Sequence, residues 1–395
     1  VWAVPRSLGL WQMVSATGLP REGCVVELHG LSQKALNGAR GVCLGAPPQS
    51  TGRIGVRLDG RDISVPAKSA QAVLDFREVA GKGIGVMALS AIPAGGLVLR
   101  ETPALRLRGG ELQGKVTAAV RKAVLELSDA YADGDVKTLE GVLATNALPC
   151  GNDPDRTVLC LLASRFNHSC SPNVEYLWVE ELQAEEVRAV RPIAAGEELC
   201  VNYFGDAVKQ PRAARQEQLR GGFRFDCRCS VCLEASPESD GRRHRLLVLS
   251  QEILSCRECP EQGLRMAEEM LEIMEKEGIS APRSVAQVCN DGFELAVLAG
   301  DPAEVQHWAH MSYEAHRLGW GEAHELTRRM QHYAQHPPVL QQETAGRQTR
   351  KRGDGSESRR SRRAAAAENE TPNVVEDLGT ASAKTLPRIA MDSLD

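Results

Sequence analysis

Three cysteines within six residues constrain this chain more than any other sequence feature: Cys227, Cys229 and Cys232. Thiolates at this spacing can converge on one zinc ion, whereas such close neighbours suit a disulfide framework poorly. A structural zinc site takes four ligands, so a fourth must come from elsewhere in the chain. The candidates are three other cysteines, Cys170, Cys256 and Cys259. The spacing therefore predicts a zinc-binding segment and a reducing compartment.

The composition is that of a folded, globular chain. It has 395 residues, of which 42% are hydrophobic and 25% are charged, and this length allows two or three domains. A formal net charge of −5 argues against a nucleic-acid binder as a whole, since phosphate binding needs a basic surface. No apolar run approaches the roughly 18 residues that span a bilayer. We expect a soluble protein without a membrane partner, in the nucleus and/or cytoplasm.

The first two segments read as mixed α+β structure. Residues 1–75 hold short strand-like runs punctuated by Asn-Gly and Asp-Gly turns, which predicts a small SH3-like, β-barrel-like domain. Residues 76–210 read as a β-rich domain, with strand-like runs before and after a helical insert. The apolar stripe of that insert predicts a helix over Lys115–Tyr131.

The sequence pattern changes twice along the rest of the chain. Residues 211–240 carry the cysteine run, and residues 241–338 are helical in pattern, compatible with a tetratricopeptide-like domain. A capping signal predicts a helix that starts at Asp301 and closes at Gly319. Residues 339–395 lose hydrophobic periodicity, which predicts a disordered basic tail. Its arginine clusters suit nuclear import or nucleic-acid contact, although neither is required.

Three further segments carry residues suited to ligand binding. Gly81–Gly85 is a glycine-rich turn whose backbone can approach a ligand closely. Arg165–Asn173, with the sequence RFNHSCSPN, packs an amide, an imidazole and a thiol beside a turn-forming proline. Gly196–Tyr203, with the sequence GEELCVNY, is a turn and an apolar strand that delivers a tyrosine at its end. Taken alone, the glycine-rich turn and the strand that ends in Tyr203 each have an ordinary structural interpretation.

Together with the cysteine run, these segments resemble the SET-domain lysine methyltransferases, closest in layout to the family that combines SET and MYND modules. The resemblance covers residues 76–232 and, more loosely, the helices to about Pro338. It implies a SET domain with a helical insert and a knot-like chain crossing. It also implies transfer of a methyl group from S-adenosylmethionine to the ε-amine of a lysine in a protein substrate, histone or non-histone.

The resemblance also assigns roles to individual residues. Tyr203 is the implied catalytic residue, and Phe223 lies near the lysine channel. Cys170 completes the structural zinc site with Cys227, Cys229 and Cys232. The implied cofactor-binding residues are Lys82, Gly83, Ile84, Gly85, Asn167, His168, Tyr203 and Phe225.

The sequence departs from that family in three places. The MYND zinc finger is missing, because Leu105–Asn146 contains no cysteine. Ile84 stands where relatives often carry a polar residue, and Asn202 where many carry Asp or Ser.

Two alternatives to an active methyltransferase are a SET-fold scaffold that has lost methyl transfer and a chromatin-associated binding protein. We expect the chain to be a monomer.

Overall fold

The computed structural model describes Pro20 and residues 22–45, 52–58, 60–151, 153–322 and 324–338. The predicted tail, residues 339–395, lies outside the described residues. As predicted, the architecture is mixed α+β, with sheets followed by a helical C-terminal region.

The described strands are β1 Val25–Leu28, β2 Arg40–Cys43, β3 Arg53–Leu58, β4 Arg61–Pro66, β5 Ala70–Ala72, β6 Leu74–Val79, β7 Gly83–Ala88, β8 Leu97–Glu101, β9 Leu105–Arg108, β10 Glu111–Leu112, β11 Leu148–Pro149, β12 Arg156–Leu159, β13 Asn167–His168, β14 Val174–Val179, β15 Ala184–Ala189 and β16 Glu198–Val201. The described α-helices are α1 Ala118–Val124, α2 Leu139–Asn146, α3 Arg212–Phe223, α4 Ser230–Leu233, α5 Pro237–Glu252, α6 Pro260–Lys276, α7 Pro282–Ala299, α8 Pro302–Trp320 and α9 Glu325–Gln335.

The N-terminal strands form one antiparallel sheet in the order β4-β3-β2-β1-β5. Ile54, Val56 and Leu58 alternate with more exposed residues along β3, which places a small core on one face. The end strands β4 and β5 do not pair with each other among the described residues. The sheet therefore stays open, and the predicted barrel does not close.

Three further sheets pack around two more cores, one of which β9 and β12 share with α1 and α2. Their strand orders are β10-β9-β12-β11, β13-β16-β7-β6 and β14-β15-β8. Phe76, Val86, Leu99, Val187 and Val201 are among the buried residues that the last two sheets place together. This core lies directly behind the segments that carry the predicted ligand-binding residues.

The helical insert is shorter than predicted. Instead of running over Lys115–Tyr131, α1 starts after Thr117, whose side chain caps it, and ends at Val124. Beyond it, the Asp129 carboxylate accepts the backbone N–H of Tyr131 at 2.8 Å. Such a local side-chain bond offers the backbone an alternative to the helix, so a turn forms where the apolar stripe alone predicts helix.

The start of α8 agrees with its capping signal. The Asp301 carboxylate accepts the backbone N–H of Ala303 at 2.9 Å. The end was predicted wrongly: α8 continues to Trp320, and Gly321, at φ 83°, follows it. A Cβ at Gly319 would lie 2.9 Å from a side-chain carbon of Pro282, so that glycine permits close helix packing instead of ending the helix. Among the described residues, no helix combines the length and apolarity needed to cross a bilayer.

The helical region shares a core with the cysteine run. Cys170, Cys227 and Cys232 belong to the same buried cluster as side chains of α5–α9, and Phe223 and Phe225 pack against it. The Ser171 hydroxyl also donates to the Gly278 carbonyl oxygen at 2.9 Å. The helices therefore support the ligand-binding segments directly.

Two facing carboxyl groups lie in the sheet β14-β15-β8. Glu101 on β8 and Glu185 on β15 are directly opposite each other. The Glu101 carboxylate accepts backbone N–H groups of Leu161, Leu162 and Ala163 at 2.7 to 3.0 Å. Glu185 is 2% exposed, and one of its carboxylate oxygens has no hydrogen-bond partner within the described part of the chain. Burial, followed by the charges of Glu101 and Glu186, raises the pKa of Glu185 to about 8.

We expect Glu185→Gln to stabilise the protein at alkaline pH. Because the folded-state pKa of Glu185 exceeds its ordinary value, the free energy of unfolding falls as pH rises from about 4.5 to 8. Removing this group removes its share of that fall, a gain of at most about 4 kcal/mol at pH 8 and little at pH 5. The share that Glu101 contributes remains, because burial raises the pKa of Glu101 to about 7. Urea unfolding of wild type and Glu185→Gln at pH 5 and pH 8 measures the difference in their free energies of unfolding. The exposed Glu181→Gln is the control, and an identical pH dependence in Glu185→Gln would contradict the expectation.

Candidate functional site

The structure brings the distant ligand-binding segments side by side. Strand β13, which contains Asn167 and His168, pairs in parallel with β16, so that Asn167 is opposite Cys200 and His168 is opposite Val201. Strand β16 also pairs in antiparallel fashion with β7, which begins within the glycine-rich segment Gly81–Gly85. Three segments separated along the chain therefore meet in one sheet.

Side-chain bonds join the glycine-rich turn to the Asn-His strand. The Glu198 carboxylate accepts from the Asn167 Nδ2 at 2.9 Å and from the Lys82 Nζ at 2.6 Å. A Cβ at Gly85 would lie 2.7 Å from the same Asn167 nitrogen, so only glycine permits this approach. Gly83, at φ 76°, takes the left-handed backbone that the turn needs, and the neighbouring Ile84 is partly buried against the core.

Tyr203 is held at both its backbone and its hydroxyl. The hydroxyl donates to the Phe166 carbonyl oxygen at 2.9 Å, and the backbone N–H donates to the His168 Nδ1 at 3.2 Å. Burial raises the pKa of Tyr203, so its hydroxyl stays protonated and neutral at physiological pH. Burial lowers the pKa of His168 to about 4, so the imidazole is neutral and accepts through Nδ1.

Aromatic rings surround this pair. The Tyr203 ring centroid lies 4.8 Å from that of Phe223 and 6.4 Å from that of Phe225. Between the two phenylalanines, Arg224 adopts the left-handed conformation at φ 60° and ends α3. Phe204, which the sequence reasoning missed, lies 4.9 Å from the His168 ring. Its position next to Tyr203 in an aromatic-poor chain is the signal that could have identified it.

Four cysteines form a group that could hold a metal ion. The sulfurs of Cys170, Cys227, Cys229 and Cys232 all lie within 4.8 Å of one another. Tetrahedral zinc with Zn–S bonds of about 2.3 Å needs sulfurs roughly 3.8 Å apart, so the donor set and its spacing fit zinc. The alternative ligands Cys256 and Cys259 do not belong to this group. Cys256 contacts Met266 instead, and Cys259 is exposed.

A buried arginine that the sequence reasoning missed adjoins the cysteine group. Arg215 is fully buried on α3, and its Nη2 lies 3.8 Å from the Cys232 sulfur. Its Nη1 donates to the Gln210 carbonyl oxygen at 2.5 Å, while its Nε has no partner among the described residues. A buried cation needs a compensating charge, and thiolates supply one. A lone arginine in a helical sequence gives no signal of such a role.

The comparisons with known proteins agree with this site. The family model described as the SET domain matches residues 83–204, which hold the glycine-rich strand, the Asn-His strand and Tyr203. Fission yeast (Schizosaccharomyces pombe) histone-lysine N-methyltransferase set5 is 29% identical over 269 residues, covering 66% of this chain and 82% of the relative. The chain therefore contains a SET domain, as predicted.

Other relatives match over shorter stretches. Human protein-lysine N-trimethyltransferase SMYD5 is 32% identical over 114 residues, covering 29% of this chain and 26% of its own length. Zebrafish (Danio rerio) N-lysine methyltransferase SMYD2-B is 41% identical over 71 residues, covering 18% and 15%. A solved Plasmodium falciparum structure described as a putative histone methyltransferase covers 34% of this chain and 94% of that one, at 15% identity and a TM-score of 0.22. These curated relatives are named as histone-lysine, protein-lysine or N-lysine methyltransferases, which agrees with the class that the sequence predicts.

Proposed function

We propose that this chain transfers a methyl group from S-adenosylmethionine to the ε-amine of a lysine in a protein substrate, histone or non-histone. The observation that carries the proposal is the convergence of Tyr203 with the Asn167-His168 pair, through the His168 Nδ1 contact and the parallel β13–β16 pairing. The substrate would be met in the nucleus or cytoplasm, and residues 76–210 would form the catalytic domain.

The residues present fit S-adenosylmethionine. Lys82 and Asn167 offer polar groups for an amino-acid end, and the glycine-rich turn offers backbone at close approach. Phe225, together with the partly buried rings near His168, offers an apolar surface for an adenine. When bound, S-adenosylmethionine supplies a methyl group activated by a sulfonium.

Tyr203 would orient the lysine amine. Its hydroxyl proton is engaged by the Phe166 carbonyl, which leaves the oxygen as an acceptor for an amine N–H. A lysine with a pKa of about 10.4 costs roughly 4 to 5 kcal/mol to deprotonate at pH 7. The aromatic wall of Phe223 and Tyr203 lowers this cost by desolvating the ammonium, and the proton leaves from the lysine Nζ to water.

The four cysteines would hold zinc as a structural ion. Cys170 belongs to the Asn-His-Ser-Cys turn, and the other three follow Phe223 and Phe225. One ion held by all four sulfurs would therefore fix the aromatic wall against the cofactor-binding turn.

Incubating the purified chain with S-adenosylmethionine labelled in the methyl group and a protein extract tests the reaction. We expect label on lysine residues of one or more proteins. A scaffold that has lost transfer labels nothing, and this outcome would favour the alternative. A parallel titration with S-adenosylhomocysteine separates the loss of cofactor binding from the loss of transfer.

We expect Gly85→Ala to weaken S-adenosylmethionine binding by about tenfold or more. The added Cβ would lie 2.7 Å from both the Asn167 Nδ2 and a Val79 methyl, so Asn167 must move. Overpacking of this kind also costs roughly 1 to 3 kcal/mol of folding stability. Calorimetric titration measures the affinity. Gly221→Ala, on an open face of α3, is the control. Wild-type affinity in Gly85→Ala would contradict the expectation.

A further inference from the structure

Two adjacent glutamates hold the two ends of the Asn167–Asn173 segment. Glu198 binds Asn167 at the first position. Glu197 accepts from the Asn173 Nδ2 at 2.8 Å at the last position, and it also accepts from Arg191 at 2.6 Å. The two carboxylates therefore secure one segment from neighbouring positions. Only Glu198 also reaches the glycine-rich turn, through Lys82.

We propose that Glu198 is a positioning residue that sets the affinity for the amino-acid end of the cofactor, whereas Glu197 only secures the segment. This inference rests on the proposed function, because it concerns the S-adenosylmethionine site. It assigns different roles to two neighbouring carboxylates of the same motif.

The geometry of Glu198 suits this role. Its Oε1 accepts from Asn167 and its Oε2 accepts from Lys82, so each oxygen serves one of the two elements. The Glu198 side chain is 19% exposed and that of Lys82 is 38% exposed, which makes the pair less screened than a fully exposed one. A Cβ at Gly85 would lie 3.1 Å from the Glu198 Oε1, so the carboxylate also lies against the β7 backbone.

The bond to Glu198 fixes which end of the Asn167 amide is left for a ligand. Because Nδ2 donates to the carboxylate, the acceptor oxygen Oδ1 remains for a donor on the ligand. The amino-acid end of S-adenosylmethionine carries an ammonium, which is such a donor. Without Glu198, the amide can rotate and present its NH₂ group, which has no acceptor to meet on an ammonium.

Calorimetric titration of the full chain with S-adenosylhomocysteine tests the inference without measuring activity. We expect Glu198→Ala to raise the dissociation constant tenfold or more and Glu197→Ala to raise it less than threefold. Glu198→Gln keeps an acceptor for Asn167 but loses the negative charge that pairs with Lys82. Its dissociation constant should therefore lie between those of wild type and Glu198→Ala. Thermal melting of each variant reports whether it is folded, and Glu198→Gln replaces Glu198→Ala if the latter does not fold.

A second ligand makes the test specific. 5′-Methylthioadenosine contains the adenosine but lacks the amino-acid end, so its affinity should be the same in Glu198→Ala and wild type. The inference would be overturned if Glu198→Ala lost affinity for both ligands to the same extent, or if Glu197→Ala lost as much affinity for S-adenosylhomocysteine as Glu198→Ala does. Either result would show that the affinity depends on the general order of the segment. If wild type binds S-adenosylhomocysteine and Glu198→Ala binds it equally well, the inference alone fails. If wild type does not bind it, the proposed function fails.

Discussion

Replacing Tyr203 with phenylalanine should reduce methyl transfer by about 100-fold or more while the affinity for S-adenosylmethionine changes less than about threefold. A 100-fold loss corresponds to about 2.7 kcal/mol of transition-state stabilisation. The phenyl ring keeps the packing against Phe223 and Phe225. What disappears is the neutral hydroxyl held by the Phe166 carbonyl, and with it the acceptor that orients the amine.

Single-turnover transfer and calorimetric titration measure the two quantities separately. Tyr131→Phe is a suitable control, because Tyr131 is 49% exposed and lies in the turn that follows α1. Wild-type transfer in Tyr203→Phe would remove Tyr203 from the mechanism. A loss of cofactor affinity as large as the loss of transfer would instead make its role one of binding.

Replacing Cys170 with serine should abolish zinc binding as completely as replacing Cys229 does. A serine hydroxyl is a poor zinc ligand, and a site that loses one of four thiolates loses most of its binding free energy. Since zinc binding contributes to folding, both variants should also unfold more easily, by several kcal/mol as an order-of-magnitude expectation. Metal analysis per chain and thermal melting measure the two effects.

The matched control for zinc is Cys259→Ser. Cys259 is exposed and lies outside the group of four, although the sequence alone leaves it as a candidate ligand. The Cys259→Ser variant should retain about one zinc ion per chain. A full complement of zinc in Cys170→Ser would show that the fourth ligand lies elsewhere.

The sequence predicts the site through short motifs whose members are close along the chain. The Cys227–Cys232 spacing and the capping residue of α8 can be read this way, because each depends on a few consecutive residues. The Lys115–Tyr131 helix was predicted too long because periodicity does not register the local bond that Asp129 makes to the backbone.

Contacts between distant segments are harder to predict. The bonds of Glu198 to Lys82 and of Arg215 to Cys232 join residues whose identities alone give no hint of a partner. The resemblance supplied Cys170 as the fourth cysteine, whereas spacing left three candidates open. The open N-terminal sheet likewise depends on which strands meet at its edges, and turn signals do not determine this.

The hydrophobic cluster that unites the cysteine group with helices α5–α9 bears on how the chain can be divided. A fragment that stops after Leu233 would lack the later members of this cluster, among them Met274 and Ile279, and would lose the Ser171–Gly278 bond. Replacing the helical region with that of a relative would therefore change the contacts that hold the Cys170 turn, in addition to any surface that the helices offer. The Cys170 turn therefore keeps its present contacts only in a fragment that includes the helices of this cluster.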